Sequence, residues 1–337
     1  MHSEIIAVGS ELLSFARVDT NSVHIASRLA VLGVEVRYKQ VIGDRIDDIS
    51  RAISLALERS TILFVTGGLG PTNDDVTREA LSLALGRELQ EDPGILKVME
   101  ITYRKWGRRM SENNRKQAMV PRGAMVLSNP NGTAPGLFLV EGEKLVFLLP
   151  GPPRELNPIL EKDVIPLIRK HKQVAELPSR HLKIASIAES VLDARIEGIY
   201  RQYQDIDTTI LATPGVISLY FIGQGGGGSG TEARLEELVG RIRAEMGIAV
   251  LTDREMSLEE VVGGILREKG KTLALAESCT GGLISKLLTD VPGSSGYFLG
   301  GVVSYSNSVK TGILGVRDLD LEVHGAVSEV VAEQMAE

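Results

Sequence analysis

Apolar and polar positions change period several times along this chain, and each change marks an element. Glu4 to Val8 and Thr61 to Val65 are apolar without a break after their first residue, and Leu145 to Leu149 repeats the pattern. Unbroken apolar runs of this length predict strands covered on both faces. Between them the spacing turns helical. Val23, Ala26, Leu29 and Ala30 share one stripe over Thr20 to Leu32, with Asp19 or Thr20 as the cap. Ile46 to Leu57, capped near Asp44, and Asp75 to Leu85 are further helices, and Val34 to Ile42 is a further strand. This alternation predicts an α/β fold, a mostly parallel sheet with helices on both faces. Ligands in such folds bind beyond the carboxyl ends of the strands. The loops after Val8, Ile42, Val65 and Leu149 are therefore where a site is expected.

From residue 181 the rhythm shortens. His181 to Ser186 reads as a strand and Val191 to Tyr203 as a helix. Thr208 to Ala212 and Ile217 to Ile222 read as a hairpin turning at Pro214-Gly215, followed by a helix, Glu232 to Met246, and a strand, Ile248 to Thr252. That is the β-α-β-β-α-β order of a small α+β module. The Gly225 to Gly230 tract reads as a flexible loop; a natural loop and a designed replacement fit it equally. Leu258 to Lys269 is an amphipathic helix, Thr272 to Ala276 a strand, and Leu283 to Thr289 and Ser328 to Glu337 are helices. The expected domains are 1–170, 171–253 and 254–337. The last has roughly eighty residues, which is small for an α/β domain, and it is expected to be cut short.

Composition narrows the function. The 337 residues are 43% hydrophobic and 24% charged, as in ordinary globular chains. A net charge of -7 and 4% aromatics argue against nucleic-acid binding. One cysteine excludes an internal disulfide and a cysteine-rich zinc site. No apolar run reaches the roughly twenty residues of a membrane span. A strand opens the chain at once, so no leader is expected. A cytoplasmic enzyme is the simplest expectation.

Two regions carry candidate chemistry. Thr66-Gly67-Gly68-Leu69-Gly70-Pro71-Thr72-Asn73-Asp74-Asp75 follows an apolar strand and leads into a helix. Its glycines let main chain approach a phosphate, and the helix offers its positive end. Asp74 and Asp75 suit a divalent cation bridging phosphate oxygens, or an acidic helix cap. Glu11, in Gly9-Ser10-Glu11-Leu12-Leu13, is a candidate metal ligand or base. Asp19 and Asn21 suit ribose hydroxyls or capping. Asp44, Pro71, Thr72, Pro150 and Gly151 belong to the same set of strand-end loops.

The second region is Ala276-Glu277-Ser278-Cys279-Thr280-Gly281-Gly282, a strand-to-helix turn. Such a turn exposes a nucleophile and aims free N–H groups, here around Thr280, Gly281 and Gly282, at an anion or oxyanion. Ser278 and Cys279 compete as nucleophile. Thiolates are the stronger nucleophiles, but no histidine is near in sequence, His324 being the nearest. Val303 to Lys310 supplies Tyr305, Asn307 and Lys310, and a tyrosine with a lysine can activate a serine without histidine.

Gly9 to Leu13, Asp19 to Asn21, Thr66 to Asp75 and Leu149 to Pro153 together resemble the MoaB/MogA-like molybdopterin-binding domain. More narrowly, they resemble the N-terminal domain of the competence/damage-inducible protein CinA family, which usually has threonine where this chain has Ser10. Residues 171–253 resemble that family's KH-type connecting domain. Glu277 to Gly282 and Tyr305 to Lys310 resemble its nicotinamide mononucleotide deamidase domain, which in the family continues into a further glycine-rich segment. The resemblance implies a three-layer α/β/α domain, a small α+β module and a partial α/β amidohydrolase domain. It implies that Ser278 attacks the carboxamide while Tyr305 and Lys310 deprotonate it and pass the proton to the leaving ammonia, with no cofactor. For the N-terminal domain it implies hydrolysis of ADP-ribose to AMP and ribose 5-phosphate. A divalent metal ion (Mg, Mn or Co) on Glu11 and Asp75 would assist, with Gly67 and Gly68 cradling phosphate. The implied partners are small nucleotides and a second copy in a homodimer. Two rivals stand beside this: a pterin-binding domain, and a non-enzymatic competence or DNA-damage scaffold. Against nucleic-acid contact, no Gly-X-X-Gly loop lies between the helices of the middle module.

Overall fold

Ile5 and Ile6 point to opposite faces of one strand, and both are fully buried. A strand of this kind needs a layer on each side, and the first part of the chain supplies both. The computed structural model describes residues 1–14, 17–213, 215–224, 229–254 and 256–337. They form two units, one of 1–179, 204–207 and 222–236, the other of 180–203, 208–221 and 237–337.

In the first unit the strands are β1 (His2–Val8), β2 (Glu35–Ile42), β3 (Ile62–Thr66), β4 (Leu89–Glu91), β5 (Met119–Pro121), β6 (Met125–Leu127), β7 (Gly136–Glu141) and β8 (Lys144–Leu149). Six form a sheet in the order β2-β1-β3-β8-β7-β6. β2, β1, β3 and β8 run parallel, while β7 and β6 close one edge antiparallel. The helices are α1 (Asn21–Ala30), α2 (Ile46–Arg59), α3 (Thr77–Leu85), α4 (Pro93–Lys105), α5 (Pro153–Ile159) and α6 (Ile165–Lys172). Ile6, Leu63 and Val65 pack with Ile49 and Ile53 of α2, Leu81 of α3 and Met99 of α4. Ile5, Phe64 and Phe147 pack on the other face with Ile25 of α1, Ile159 of α5 and Ile168 of α6. The result is the expected three-layer α/β/α domain. The parallel strands end together, so the loops after Val8, Ile42, Thr66 and Leu149 share one rim.

Val23, expected in the apolar stripe of α1, is exposed, Ile25 and Leu29 being the buried apolar side chains there, and two further details depart from the sequence expectation. α3 starts at Thr77 rather than Asp75, which leaves both aspartates in the preceding turn. Glu4, inside an apolar run, is fully buried and accepts hydrogen bonds from Arg59, Gln40 and Ser60. Burial opposes its charge, but the Arg59 and Gln40 bonds outweigh that and hold its carboxyl below the usual range.

The second unit carries most of β9 (Ser179–Ala185), α7 (Glu189–Tyr200), β10 (Ile206–Thr213), β11 (Val216–Gly223), α8 (Ser229–Met246) and β12 (Val250–Thr252), in the expected β-α-β-β-α-β order. Their sheet has the order β10-β11-β9-β12. Pro214 of the expected hairpin turn and Gly225 to Gly228 of the glycine tract lie outside the described residues. Then come α9 (Leu258–Glu268), β13 (Leu273–Glu277), α10 (Leu283–Asp290), β14 (Phe298–Val303), α11 (Asn307–Leu314), α12 (Asp318–His324) and α13 (Glu329–Ala336). β13 and β14 pair in parallel, with Glu277 opposite Val303. A capping box starts α9: the Ser257 hydroxyl accepts from the Glu260 amide, and the Glu260 carboxylate accepts from the Ser257 amide.

Candidate active sites

The strand-end rim of the first unit encloses a cavity of about 860 Å³. Gly67 and Gly68 form its floor, and their conformation follows from crowding. Gly67 has φ 92°, and a Cβ there would lie 2.2 Å from the Val8 carbonyl oxygen. At Gly68, φ 63°, a Cβ would lie 2.2 Å from Thr77 Oγ1. The Gly67 amide donates to the Leu149 carbonyl and the Thr77 hydroxyl to the Gly67 carbonyl. The amides of Gly68, Leu69 and Gly70 carry no hydrogen bond among the described residues, so this loop of the cavity wall keeps free donors. Arg78 is fully buried behind the loop and donates Nη2 to the Leu69 carbonyl, while burial pulls its pKa down to about 10.

The predicted residues of this region do gather around the cavity: Glu11, Asp19, Asn21, Asp44, Gly67, Gly68, Pro71, Asp74, Asp75, Pro150 and Gly151 all line it. Thr72 is one step outside, where its amide and hydroxyl donate to Asp75 Oδ2. That carboxylate therefore also closes its own turn. Asp74 is exposed, and hydrogen bonding from Thr72 holds its carboxyl below the usual range. Asp44 accepts from the Ser10 amide and Asp19 from the Ser22 amide, so both also serve the fold. Asn21 donates to the Gly151 carbonyl. Its Oδ1 is buried with no partner among the described residues, a free acceptor on a side chain that lines the cavity.

Arg17, Trp106, Gln117, Arg154 and Glu155 also line the cavity and were not singled out in the sequence. Six lining carboxylates (Glu11, Asp19, Asp44, Asp74, Asp75, Glu155) face two lining arginines (Arg17, Arg154). Among the described residues no three His, Cys, Asp or Glu side chains group closely enough to hold a metal by themselves. The donor set instead suits a hard cation that takes one or two carboxylates and completes its shell with water and substrate phosphate.

The second site is compact. Parallel pairing of β13 and β14 brings their carboxyl ends side by side, and the Ser304 amide donates to the Glu277 carbonyl at 2.7 Å. The next residue on one side is Ser278. On the other side the chain turns into α11, which returns Lys310 to the same spot. Lys310 Nζ donates to Ser278 Oγ at 2.9 Å, to the Ser304 carbonyl at 2.6 Å and to the Tyr305 carbonyl at 3.4 Å. The lysine is 1% exposed. Nζ thus has three oxygen neighbours, and one of them is the nucleophile candidate.

Glu277 fixes this turn. Its carboxylate accepts from the amides of Gly282, Ile284 and Ser285 and from the Ser285 hydroxyl. Burial opposes its charge, but the bonds from Ser285, Thr280 and Ile284 outweigh that and hold its pKa at about 2. The sequence suggested that amides around Thr280, Gly281 and Gly282 bind an anion. Here the Gly282 amide belongs to Glu277, and that of Gly281 donates to the Ser278 carbonyl. The amides of Cys279 and Thr280 are the ones left without a partner among the described residues. Cys279 is exposed. Asn307 is exposed at the start of α11. Tyr305 presents its carbonyl to Lys310, but its side chain is 76% exposed and donates to neither Ser278 nor Lys310.

Residues 4–170 match the family described as "Probable molybdopterin binding domain", and residues 255–337 match the "CinA C-terminal domain". The chain thus joins two catalogued domain types, each carrying one of the two sites. A CinA-like protein of Koribacter versatilis is 43% identical over 344 residues, which cover 100% of this chain and 82% of the relative. A CinA-like protein of Solibacter usitatus is 42% identical, covering 100% of this chain and 81% of that relative. Among solved structures, the protein CinA from Thermoplasma acidophilum matches at 35% identity and a TM-score of 0.46, over 50% of this chain and 98% of the other. The chain belongs to the CinA family.

Proposed function

We propose that the chain is a two-site hydrolase acting on breakdown products of pyridine dinucleotides. At the second site, nicotinamide mononucleotide is deamidated to the acid. The observation that carries this reading is the buried Lys310 Nζ hydrogen-bonded to Ser278 Oγ. With the lysine neutral, Ser278 Oγ attacks the carboxamide carbon and its proton passes to Nζ. The tetrahedral oxyanion collapses, the C–N bond breaks, and Nζ returns the proton to the departing ammonia. Water then cleaves the acyl ester, leaving the carboxylic acid and free Ser278. The unpartnered amides of Cys279 and Thr280 are the donors available to the oxyanion. The test is ammonia release from nicotinamide mononucleotide by the full chain. Its absence overturns the reading.

At the first site we propose hydrolysis of ADP-ribose: water adds to one phosphorus, the P–O–P bridge breaks, and AMP and ribose 5-phosphate leave. The free amides of Gly68 to Gly70 suit the diphosphate, and the unpartnered Asn21 Oδ1 suits a ribose hydroxyl. Six carboxylates around the cavity would repel a diphosphate alone, which favours a cation shared with Glu11 and Asp75. Such an ion (Mg, Mn or Co), when bound, neutralises phosphate charge and activates water. A second reading rests on the family description of residues 4–170, a pterin-binding domain. Release of AMP with metal, abolished by chelator, supports hydrolysis. Pterin binding without AMP release supports the second reading. A homodimer is proposed as well. Exposed apolar side chains such as Leu299, at 71%, and Ile313, at 65%, favour a partner surface, and sedimentation would test it. Among the described residues no helix is long and apolar enough to cross a membrane.

A further inference from the structure

Trp106 is the sole tryptophan of the chain and the one aromatic residue among those lining the 860 Å³ cavity. It caps the end of α4 and is 50% exposed. Half of the indole stays in water, which leaves a ring face open at a polar cavity mouth. Its support is built. Tyr103 meets it edge-on, with ring centroids 5.6 Å apart and planes at 69°. The Tyr103 hydroxyl accepts from Asn114 Nδ2 at 2.7 Å, and Asn114, itself 6% exposed, accepts from the Ser111 amide and hydroxyl. The Trp106 amide donates to the Thr102 carbonyl at 3.1 Å. Arg104, Lys105, Arg108 and Arg109 flank it, all exposed and none in an ion pair among the described residues. An aromatic face and a glycine loop with free amides thus line one carboxylate-rich cavity, and the exposed cations adjoin the aromatic residue in sequence.

We propose that Trp106 is the specificity residue of this site, the platform on which the purine ring of an adenine nucleotide stacks. The diphosphate then lies toward the Gly67–Gly70 loop, and the flanking cations attract the polyanion. This rests on the ADP-ribose reading of the same cavity. A planar pterin would present the same kind of face, so the test separates the two.

The full chain supplies its own probe, because its tryptophan emission comes from Trp106 alone. AMP and ADP-ribose are titrated against that emission, with ribose 5-phosphate and a pterin as separate arms. AMP and ADP-ribose should quench it, and ribose 5-phosphate should not. Trp106→Ala should raise the KM for ADP-ribose about tenfold with kcat nearly unchanged, while Trp106→Phe keeps most of the affinity. The Phe variant guards against a folding defect, since it conserves the ring. If ADP-ribose is hydrolysed but AMP leaves the emission unchanged and Trp106→Ala keeps its KM, the platform is overturned and the hydrolase reading stands. Quenching by AMP without hydrolysis supports the platform and overturns the hydrolase. Quenching by the pterin and not by AMP overturns the purine assignment.

Discussion

The two candidate sites are built in opposite ways. The first is wide and lined by some thirty residues, with donors and six carboxylates spread over several loops. The second is two side chains deep in a strand-end turn, already bonded to each other and held by Glu277. On the proposed reading, the first would recognise a large polyanion by many modest contacts. The second would relay one proton from Ser278 through Lys310 to the leaving group, which needs two atoms in register. Single substitutions should therefore be decisive at the second site and graded at the first.

The sharpest break is at the dyad. Ser278→Ala should lower ammonia release by about 10⁴-fold, and Lys310→Met by about 10³-fold, because each removes a reacting group. ADP-ribose hydrolysis should stay within about twofold in both, if the sites are independent as their separate walls suggest. Parallel assays of the two reactions check this. Retained amidase activity in Ser278→Ala would move the nucleophile to Cys279.

Gly67→Ala should be the strongest single change at the first site, because it acts on backbone. The added Cβ would lie 2.2 Å from the Val8 carbonyl at a φ of 92°. Strain of that kind costs about 2–4 kcal/mol. Denaturant unfolding should report the loss in the first unit, with AMP release lowered about tenfold and ammonia release retained. An unaltered unfolding midpoint would mean that the loop yields, and that the free amides are less fixed than drawn.

Glu277→Gln sharpens the comparison by loosening the turn without touching the dyad. Its amide would place an N–H against the Gly282, Ile284 and Ser285 donors, a loss of about 2 kcal/mol. The sign with pH follows from the lowered carboxyl. The ordinary value is 4.5 and the folded value about 2. The ionised group's stabilisation is complete above about 4.5 and fades as pH falls toward 2. Wild type and variant should thus differ by a constant amount near neutrality and converge in acid. Thermal melts across pH 2 to 7 check this, and a difference that grows in acid would reverse the assignment.

How much of this could be read from residues differs between the sites for a physical reason. The three-layer core was legible because Ile5 to Val8 and Ile62 to Val65 are buried on both faces, and such runs announce themselves. The outermost strand β6 and the separate β4–β5 pair were not, since β4, β5 and β6 are three residues each, too short to show a period. The cavity loops were legible from glycines after strands. Trp106 was missed because it sits at a helix end far from those loops in sequence. Lys310 lies 32 residues from Ser278, and a lone lysine on a short helix reads as solvated. Its candidacy came from its joint spacing with Tyr305, and its role from family resemblance. Glu277 gave no signal of its role, because a carboxylate gathering four donors requires the turn to be folded first.

Tyr305 is the smallest expected effect and the one where resemblance and geometry part. The resemblance gives it a share in deprotonating Ser278. Yet its side chain is 76% exposed, and what it offers Lys310 is a carbonyl. A carbonyl survives any side-chain replacement. Tyr305→Phe should therefore slow ammonia release by less than about tenfold, since general acid–base partners are worth about 10²–10⁴-fold and this hydroxyl bonds neither dyad member. The pH profile of kcat should also keep its shape. A loss beyond a hundredfold, with an altered profile, would require the ring to swing over Ser278 when substrate binds. The second site would then be completed by its ligand, as is proposed for the first, and the contrast between them would narrow.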